Sequence, residues 1–89
     1  MNIQVNNTTL HYNKRGNGTP LLLVHGNGED HTIFDVLTTK LENRFTIYSI
    51  DSRNHGESDR TDDYSYNTMA EDIYQFVASL DLKGVFVAG

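Results

Sequence analysis

Two short polar loops carry the residues that could take part in chemistry. Residues 25–28 (His-Gly-Asn-Gly) follow the apolar run 21–24, and residues 51–60 follow the apolar stretch 45–50. Glycine lets the backbone adopt positive φ and approach a ligand closely. A turn between a buried strand and a helix also directs free N–H groups toward the solvent near the helix N-terminus, where they stabilise negative charge. The first loop therefore predicts a site for an anionic group, transient or bound.

A dinucleotide-binding turn is one interpretation of this loop. That turn has the pattern G-x-G-x-x-G, with an acidic residue about 20 positions later. Gly26, Gly28 and Asp51 fit, but His31 stands at the third glycine position. The match is incomplete.

A metal site is a second interpretation. Imidazole and carboxylate groups lie in and near the two loops, at His25, Asp30, His31 and His55. The stretch "HGNGEDH" lacks the i, i+4 histidine pair and the glutamate of a zinc-binding helix. We therefore expect no bound metal.

An oxyanion hole is the third interpretation, and the second loop favours it. The stretch "YSIDSRNHGESDR" resembles the D-x-R-G-x-G-x-S loop of the α/β-hydrolase family, and "LLLVHGNG" resembles that family's H-G-x-x turn. The motifs stand in the family's order, separated by one helix and one strand, and the resemblance extends over essentially all 89 residues. One departure is Asn54, where the family usually has glycine. Asparagine tolerates left-handed backbone well, so the turn should persist.

The resemblance implies a role for each residue of the first loop. The backbone N–H of Asn27 would be one of two oxyanion donors. His25 would shape the turn and would not be the catalytic histidine. Gly26 and Gly28 would supply backbone freedom.

The resemblance also implies that the second loop holds the site together. Its matching residues are Asp51, Arg53, Gly56 and Ser58. For Asp51 and Arg53 we expect a structural ion pair or turn network. A serine nucleophile in this family lies in G-x-S-x-G, and that pattern contains none of Ser49, Ser52, Ser58 and Ser65.

The final run "GVFVAG" resembles the approach to that nucleophile pattern. Gly89 would be its first glycine, with the nucleophile, the acid and the base histidine beyond residue 89. We thus expect residues 1–89 to be a partial α/β-hydrolase domain, inactive alone. The parent would act on a small-molecule ester or acyl substrate. The alternatives are a non-catalytic association module and a nucleotide-binding βαβ domain.

Composition limits the kinds of partner and chemistry that the chain can have. A net charge of −5 comes without any basic block that could pair with phosphates, which argues against nucleic acid and anionic membrane. The absence of cysteine excludes disulfides and thiol catalysis. No run approaches the about 18 apolar residues that a bilayer span needs, and the N-terminus lacks a signal-peptide pattern. We expect a cytoplasmic protein that uses no cofactor.

Apolar patterning predicts the strands that position the loops. Alternating residues from Ile3 to Val5 and from Leu10 to Lys14 indicate an antiparallel hairpin. The continuous apolar runs at 21–24 and 85–87, and the stretch 45–50 with its apolar residues Phe45, Ile47, Tyr48 and Ile50, indicate buried parallel strands.

Helical spacing predicts two helices between these strands. The first contains Ile33, Phe34, Leu37 and Leu41, with Asp30 or Thr32 as N-cap. The second is capped by Ser65, and its expected core face runs from Tyr66 through Phe76 to Leu80.

The predicted fold is therefore α/β with the order β-β-β-α-β-α-β. It corresponds to the N-terminal half of an α/β-hydrolase sheet, mostly parallel after an antiparallel hairpin. Ligands of such sheets lie beyond the carboxyl ends of the strands. An unpaired last strand would invite self-association or a partner chain.

Overall fold

The computed structural model describes all residues, 1–89. The strands are β1 (Asn2–Val5), β2 (Thr8–Gly16), β3 (Thr19–Val24), β4 (Phe45–Ile50) and β5 (Phe86–Ala88). A 3-10 turn at His31–Phe34 leads into α1 (Asp35–Leu41), and α2 spans Tyr66–Ser79. The predicted order of elements is confirmed.

The five strands form one mixed sheet in the order β1-β2-β4-β3-β5. The β1–β2 and β2–β4 pairs are antiparallel, whereas β3 is parallel to both β4 and β5. Asn6 and Asn7 join β1 to β2 with φ of 48° and 60°, as a tight hairpin turn requires. An antiparallel hairpin followed by a parallel sheet is the predicted architecture.

The central strands are buried on both faces, as their continuous apolar runs predict. Leu22, Tyr48 and Ile50 join the larger core cluster, which includes Phe76 of α2. The alternate residues Leu21, Leu23 and Ile47 form a second cluster, against which Phe34 and Leu41 pack. Because successive side chains of a strand point to opposite faces, the two helices cover opposite faces of the sheet.

Both helical segments begin at predicted caps. The side chain of Asp30 accepts a hydrogen bond from the N–H of Thr32, and that of Ser65 accepts one from the N–H of Thr68. These bonds satisfy N–H groups that a helix start leaves without partners.

Helical spacing does not place every apolar residue on a buried face, and the expected core position of Tyr66 was wrong. In the first helical segment, Ile33 and Leu37 are 48% and 42% exposed, because the segment packs on the sheet mainly through Phe34 and Leu41. In α2, Tyr66 is 75% exposed. It lies in the first turn, beyond the part of the helix that covers the sheet, so helical spacing alone misplaced it in the core.

The parallel strands bring the candidate loops to one edge of the sheet. Strands β3, β4 and β5 run in the same direction, so residue 25, residue 51 and Gly89 follow their carboxyl ends side by side. Neither helix has the length and apolar character to cross a membrane.

Candidate active site

His25 connects the two loops. It is buried, and its Nε2 accepts a hydrogen bond from the backbone N–H of Ser52 at 3.0 Å. Its Nδ1 donates to the carbonyl of Gly26 at 2.7 Å. These two bonds require a neutral imidazole protonated on Nδ1, and they leave neither nitrogen for proton transfer or metal binding.

The turn after His25 presents a free backbone donor. Asn27 is exposed, and its N–H donates to no acceptor within the protein. The preceding N–H, that of Gly26, is engaged by Glu29 Oε1 at 2.9 Å. Gly28 has φ of +78°, which glycine adopts readily. The turn thus carries an exposed residue, Asn27, whose N–H has no acceptor within the protein.

Gly26 contributes in a different way from the one expected. Its φ is not positive, so it does not supply left-handed backbone. A Cβ at this position would lie 2.9 Å from Glu29 Oε1. The position is glycine because the Glu29 carboxylate approaches closely enough to bind the Gly26 N–H.

Asp51 organises the second loop around a buried carboxylate. Its Oδ1 accepts from the backbone N–H of His31 at 2.7 Å and from His31 Nδ1 at 2.8 Å. Its Oδ2 accepts from the N–H of Glu57 at 3.0 Å. Burial opposes ionisation, but these hydrogen bonds outweigh it and lower the pKa of Asp51. The carboxylate therefore joins the first helical segment to the second loop.

Gly56 and Ser58 complete this loop. Gly56 has φ of +49°, and a side chain there would collide with the Asp51 carboxyl group. The Ser58 hydroxyl donates to the Asp51 carbonyl at 2.6 Å and accepts from the N–H of His11 at 2.8 Å. Ser58 is buried and fully hydrogen-bonded, as a structural residue should be.

Arg53 does not pair with Asp51. Its Nε donates to Asp72 Oδ2 at 2.7 Å, and its Nη2 donates to Asp72 Oδ1 at 2.8 Å. Both residues are buried, and this pairing raises the pKa of Arg53. The expected structural ion pair exists, but its acid lies on α2, while Asp51 supplies the turn network.

A cavity of about 600 Å³ opens beside the first loop. Asn27, Ser52 and Gly89 line it, together with apolar residues of α2 and β5. A Cβ on Gly89 would lie 3.1 Å from the carbonyl oxygen of Val24, so the small residue keeps the ends of β3 and β5 close together. The free N–H and the residue that follows β5 thus share one cavity.

Comparison with known proteins identifies this architecture. Residues 19–89 match the family model for the alpha/beta hydrolase fold. The chain belongs to the α/β hydrolase family. It is 32% identical over 90 residues to an uncharacterized hydrolase of Bacillus subtilis (strain 168), covering 98% of this chain and 33% of that protein.

Solved structures of α/β hydrolases superpose closely on the chain. A marine microorganism esterase has a TM-score of 0.87 and 38% identity, over 90% of this chain and 31% of its own. The epoxide hydrolase CorEH has a TM-score of 0.95 and 29% identity, over 100% of this chain and 32% of its own. The chain spans about a third of the length of these relatives.

The departure from the α/β-hydrolase motif at Asn54 is accommodated as predicted. Asn54 adopts φ of 68°, in the left-handed region. Its side chain also binds the backbone, accepting from the N–H of Thr61 and donating to the carbonyl of Asp63 at 3.1 Å. Asparagine therefore adds loop contacts that glycine could not make.

Two residues of the site region were missed from the sequence. Asp72 lies between the apolar positions Met69 and Phe76 of α2, and a carboxylate on a helix face that packs on the core signals a buried partner. Tyr66 lines the cavity, and its hydroxyl oxygen lies 3.5 Å from Asn27 Nδ2. No signal in the sequence distinguished Tyr66 from a core residue.

The four residues of the metal interpretation do not form one cluster, although the rings of His25 and His55 lie 5.0 Å apart, centroid to centroid. His25 is engaged on both nitrogens, and the Asp30 carboxylate caps the first helical segment. His31 instead approaches Asp51 and a histidine of β2, His11.

Proposed function

We propose that the protein containing this chain hydrolyses a carboxylic ester or related small acyl substrate, with the Asn27 N–H as an oxyanion donor. The observation that carries this proposal is the exposed residue Asn27, whose N–H has no acceptor in the protein and which lines a cavity together with Gly89. In ester hydrolysis the attacked carbonyl oxygen becomes negatively charged. A preorganised N–H at that point stabilises the transition state more than the substrate.

The chain's own residues would position this donor rather than perform the attack. His25 fixes the turn through Ser52, and Asp51 fixes the segment that follows through His31. Fixed dipoles need little reorganisation during the reaction, which is the source of their catalytic effect. We propose that the segment after Gly89 continues as x-Ser-x-Gly and supplies the nucleophile, with the acid and the histidine base later in the chain.

The ester preference is supported by the likeness to the marine esterase, whose identity of 38% exceeds the 29% of the epoxide hydrolase. The epoxide hydrolase nevertheless has the higher TM-score. Assays should therefore include an epoxide alongside the ester.

The test compares a variant that loses the backbone N–H of residue 27 with a variant that loses only the asparagine side chain. In the protein as its gene encodes it, Asn27→Pro deletes the N–H, whereas Asn27→Ala keeps the N–H and removes the side chain. We expect kcat for p-nitrophenyl acetate to fall about 100- to 1000-fold in Asn27→Pro. The fall in Asn27→Ala should be less than about fivefold.

Folding controls accompany both variants, because proline restricts the turn as well. Circular dichroism and thermal unfolding should show a folded Asn27→Pro protein. Equal activity losses in folded Asn27→Pro and Asn27→Ala proteins would contradict the donor role. The wild-type protein's failure to hydrolyse any ester would contradict the proposed reaction.

Residues 1–89 alone are proposed to lack turnover. They contain one backbone donor but no G-x-S-x-G nucleophile. Without nucleophile and base, only binding and oxyanion contributions remain. Steady-state turnover of p-nitrophenyl acetate by this stretch, abolished by substitutions within it, would contradict the assignment.

A further inference from the structure

Three side chains with metal-binding groups converge away from the cavity: His11 of β2, His31 of the 3-10 turn and Asp51 after β4. The side chain of a fourth residue, Glu57 of the second loop, contacts His11. One ligand atom each from His11, His31 and Asp51 lies within 4.8 Å of the others. These residues are far apart in the sequence, so only the fold brings them together.

The sheet register explains why His11 joins the cluster. Tyr12 of β2 is paired with Ile50 of β4. The neighbouring residues in the antiparallel pairing, His11 and Asp51, therefore lie beside each other. The backbone confirms this position, because the N–H of Asp51 donates to the carbonyl of His11 at 2.9 Å. The rings of His11 and His31 then stand 5.2 Å apart, centroid to centroid.

The contacts of His11 leave one ring nitrogen beside a carboxylate. Its Nδ1 lies 3.0 Å from Asn2 Oδ1, an oxygen that only accepts, so Nδ1 is the donor of this hydrogen bond. Its Nε2 lies 3.2 Å from Glu57 Oε2. Nε2 and the carboxylate oxygen are thus close enough to bind one metal ion together.

No lysine or arginine neutralises the two carboxylates. Arg60 donates to the carbonyls of Ser58 and Gly56 and forms no salt bridge with either carboxylate. Arg53 is committed to Asp72. Among charged and titratable side chains, the carboxylates of Asp51 and Glu57 therefore contact only imidazole groups.

We propose that His11, His31, Asp51 and Glu57 form a binding site for Zn²⁺. Two imidazoles and two carboxylates make a tetrahedral donor set of the type that zinc accepts. Metal–ligand bonds of about 2.0–2.2 Å require neighbouring ligand atoms to be about 3.3 Å apart. The His11–Glu57 contact of 3.2 Å already meets this requirement, and the His31–Asp51 contact of 2.8 Å must open slightly. The other distances among His11, His31 and Asp51 are within 4.8 Å and must shorten, and the exposed Glu57 side chain must turn toward the other ligands.

Metal binding displaces a shared proton. The proton that His31 Nδ1 now donates to Asp51 moves to Nε2 of the same ring, which frees Nδ1 for the metal, and His11 binds through Nε2 while its proton stays on Nδ1. Asp51 is fully buried and fixed, whereas the Glu57 side chain is 70% exposed and free to adjust. The His11 and His31 side chains are 19% and 15% exposed, so the site is reached from solvent.

A bound zinc ion would crosslink three segments: β2, the 3-10 turn that follows the first loop, and the second loop. It would thereby stabilise the turn that carries Asn27. It does not contact the cavity, and this inference is independent of the reaction proposed above.

Zinc binding is tested by titrating the metal-free, gene-encoded protein with ZnCl2 in isothermal calorimetry. We expect one equivalent to bind with a Kd of about 10 µM or tighter, and thermal unfolding to shift upward with added zinc. Substitution of CoCl2 should give the visible absorption of a tetrahedral site. Mg²⁺ prefers six oxygen ligands and should not compete.

Matched variants decide whether these four residues hold the metal. His11→Gln and His31→Gln should each weaken zinc binding at least about tenfold, and Glu57→Gln should weaken it less. His55→Gln is the control, because His55 binds only the carbonyl of Arg53 and lies outside the cluster. Its zinc affinity should match that of the wild type.

Two results would overturn the proposal. One is a Kd weaker than about 100 µM in the folded wild-type protein. The other is an unchanged Kd in both His11→Gln and His31→Gln, with folding of each verified by circular dichroism without metal. Either result would mean that the cluster is a hydrogen-bond network only.

Discussion

The guanidinium group of Arg53 and the carboxylate of Asp72 form a buried bidentate ion pair, with N–O distances of 2.7 and 2.8 Å. Arg53 also donates to the carbonyl of Asn6 at 3.3 Å. Three segments meet at this guanidinium: the second loop, α2 and the β1–β2 turn. The pair therefore holds the loop to the rest of the fold.

Removing one member of this pair should be strongly destabilising, because the other charge is left buried without a partner. We expect Asp72→Ala to lower the free energy of unfolding by about 3–5 kcal/mol, measured by urea denaturation. The double change Arg53→Met, Asp72→Leu should cost less than Asp72→Ala alone.

The exposed pair Lys83–Asp81 is the control for that experiment. Both side chains are more than 80% exposed, and surface ion pairs contribute little. Lys83→Ala should leave the urea midpoint almost unchanged. A loss in Asp72→Ala no larger than in Lys83→Ala would show that the buried pair has no structural role.

Gly56 should be far less tolerant of alanine than Gly84. Both have positive φ, +49° and +60°, but a Cβ on Gly56 would collide with Asp51 whereas Gly84 has nothing within 4 Å. Gly84→Ala should cost about 1–2 kcal/mol from backbone strain. Gly56→Ala should cost about 3 kcal/mol or more. Equal losses in thermal or urea unfolding would contradict the steric role of the Asp51 carboxyl group.

Asp51 should make stability depend on pH in the acid range. Its pKa is lowered in the folded protein, so the folded state binds its proton less readily than the unfolded chain does. The resulting stabilisation is complete above the unfolded pKa of about 3.9 and is lost as the pH falls through the folded pKa.

Urea unfolding between pH 7 and pH 2.5 measures this effect. The decline in unfolding free energy toward low pH should be shallower in Asp51→Asn than in the wild type. Some decline should remain, since hydrogen bonds from threonine side chains also lower the pKa of Asp30 and of Asp63. Identical pH profiles for the two proteins would contradict the assignment to Asp51.

Residues 1–89, produced alone, should self-associate through β5. This strand pairs only with β3, and its residues Phe86 and Val87 are 61% and 57% exposed. An apolar strand edge favours pairing with another chain. Size-exclusion chromatography should show oligomers that Val87→Lys reduces. Val36→Lys is the matched control, because Val36 is 72% exposed on α1, away from the edge. A monomer that persists at high concentration would contradict this expectation.

The strand order and both loops could be predicted because local patterns specify them. Continuous apolar runs mark β3 and β4, and the positions of His25 and Asp51 follow directly from where those runs end. The left-handed backbone at Asn54 was also predictable, since the residue type and the motif position indicate the same conformation.

Other features depend on tertiary placement, which local patterns do not encode. The partner of Arg53 is Asp72, 19 residues away, and its choice depends on how α2 packs on the sheet. The proximity of His11 and His31 depends on the register of β2 against β4. Tyr66 has the spacing of a core residue, but α2 extends beyond the sheet at that end.

The position of His25 has a consequence for how the protein is made. The bonds that fix the Asn27 turn come from residues 25–57: His25 with Ser52, Glu29 with Gly26, and Asp51 with His31 and Glu57. A chain is synthesised from its N-terminus, and early segments can fold before later ones are translated. The turn can therefore take its shape once residues 25–57 have left the ribosome, without partners from later segments of the chain.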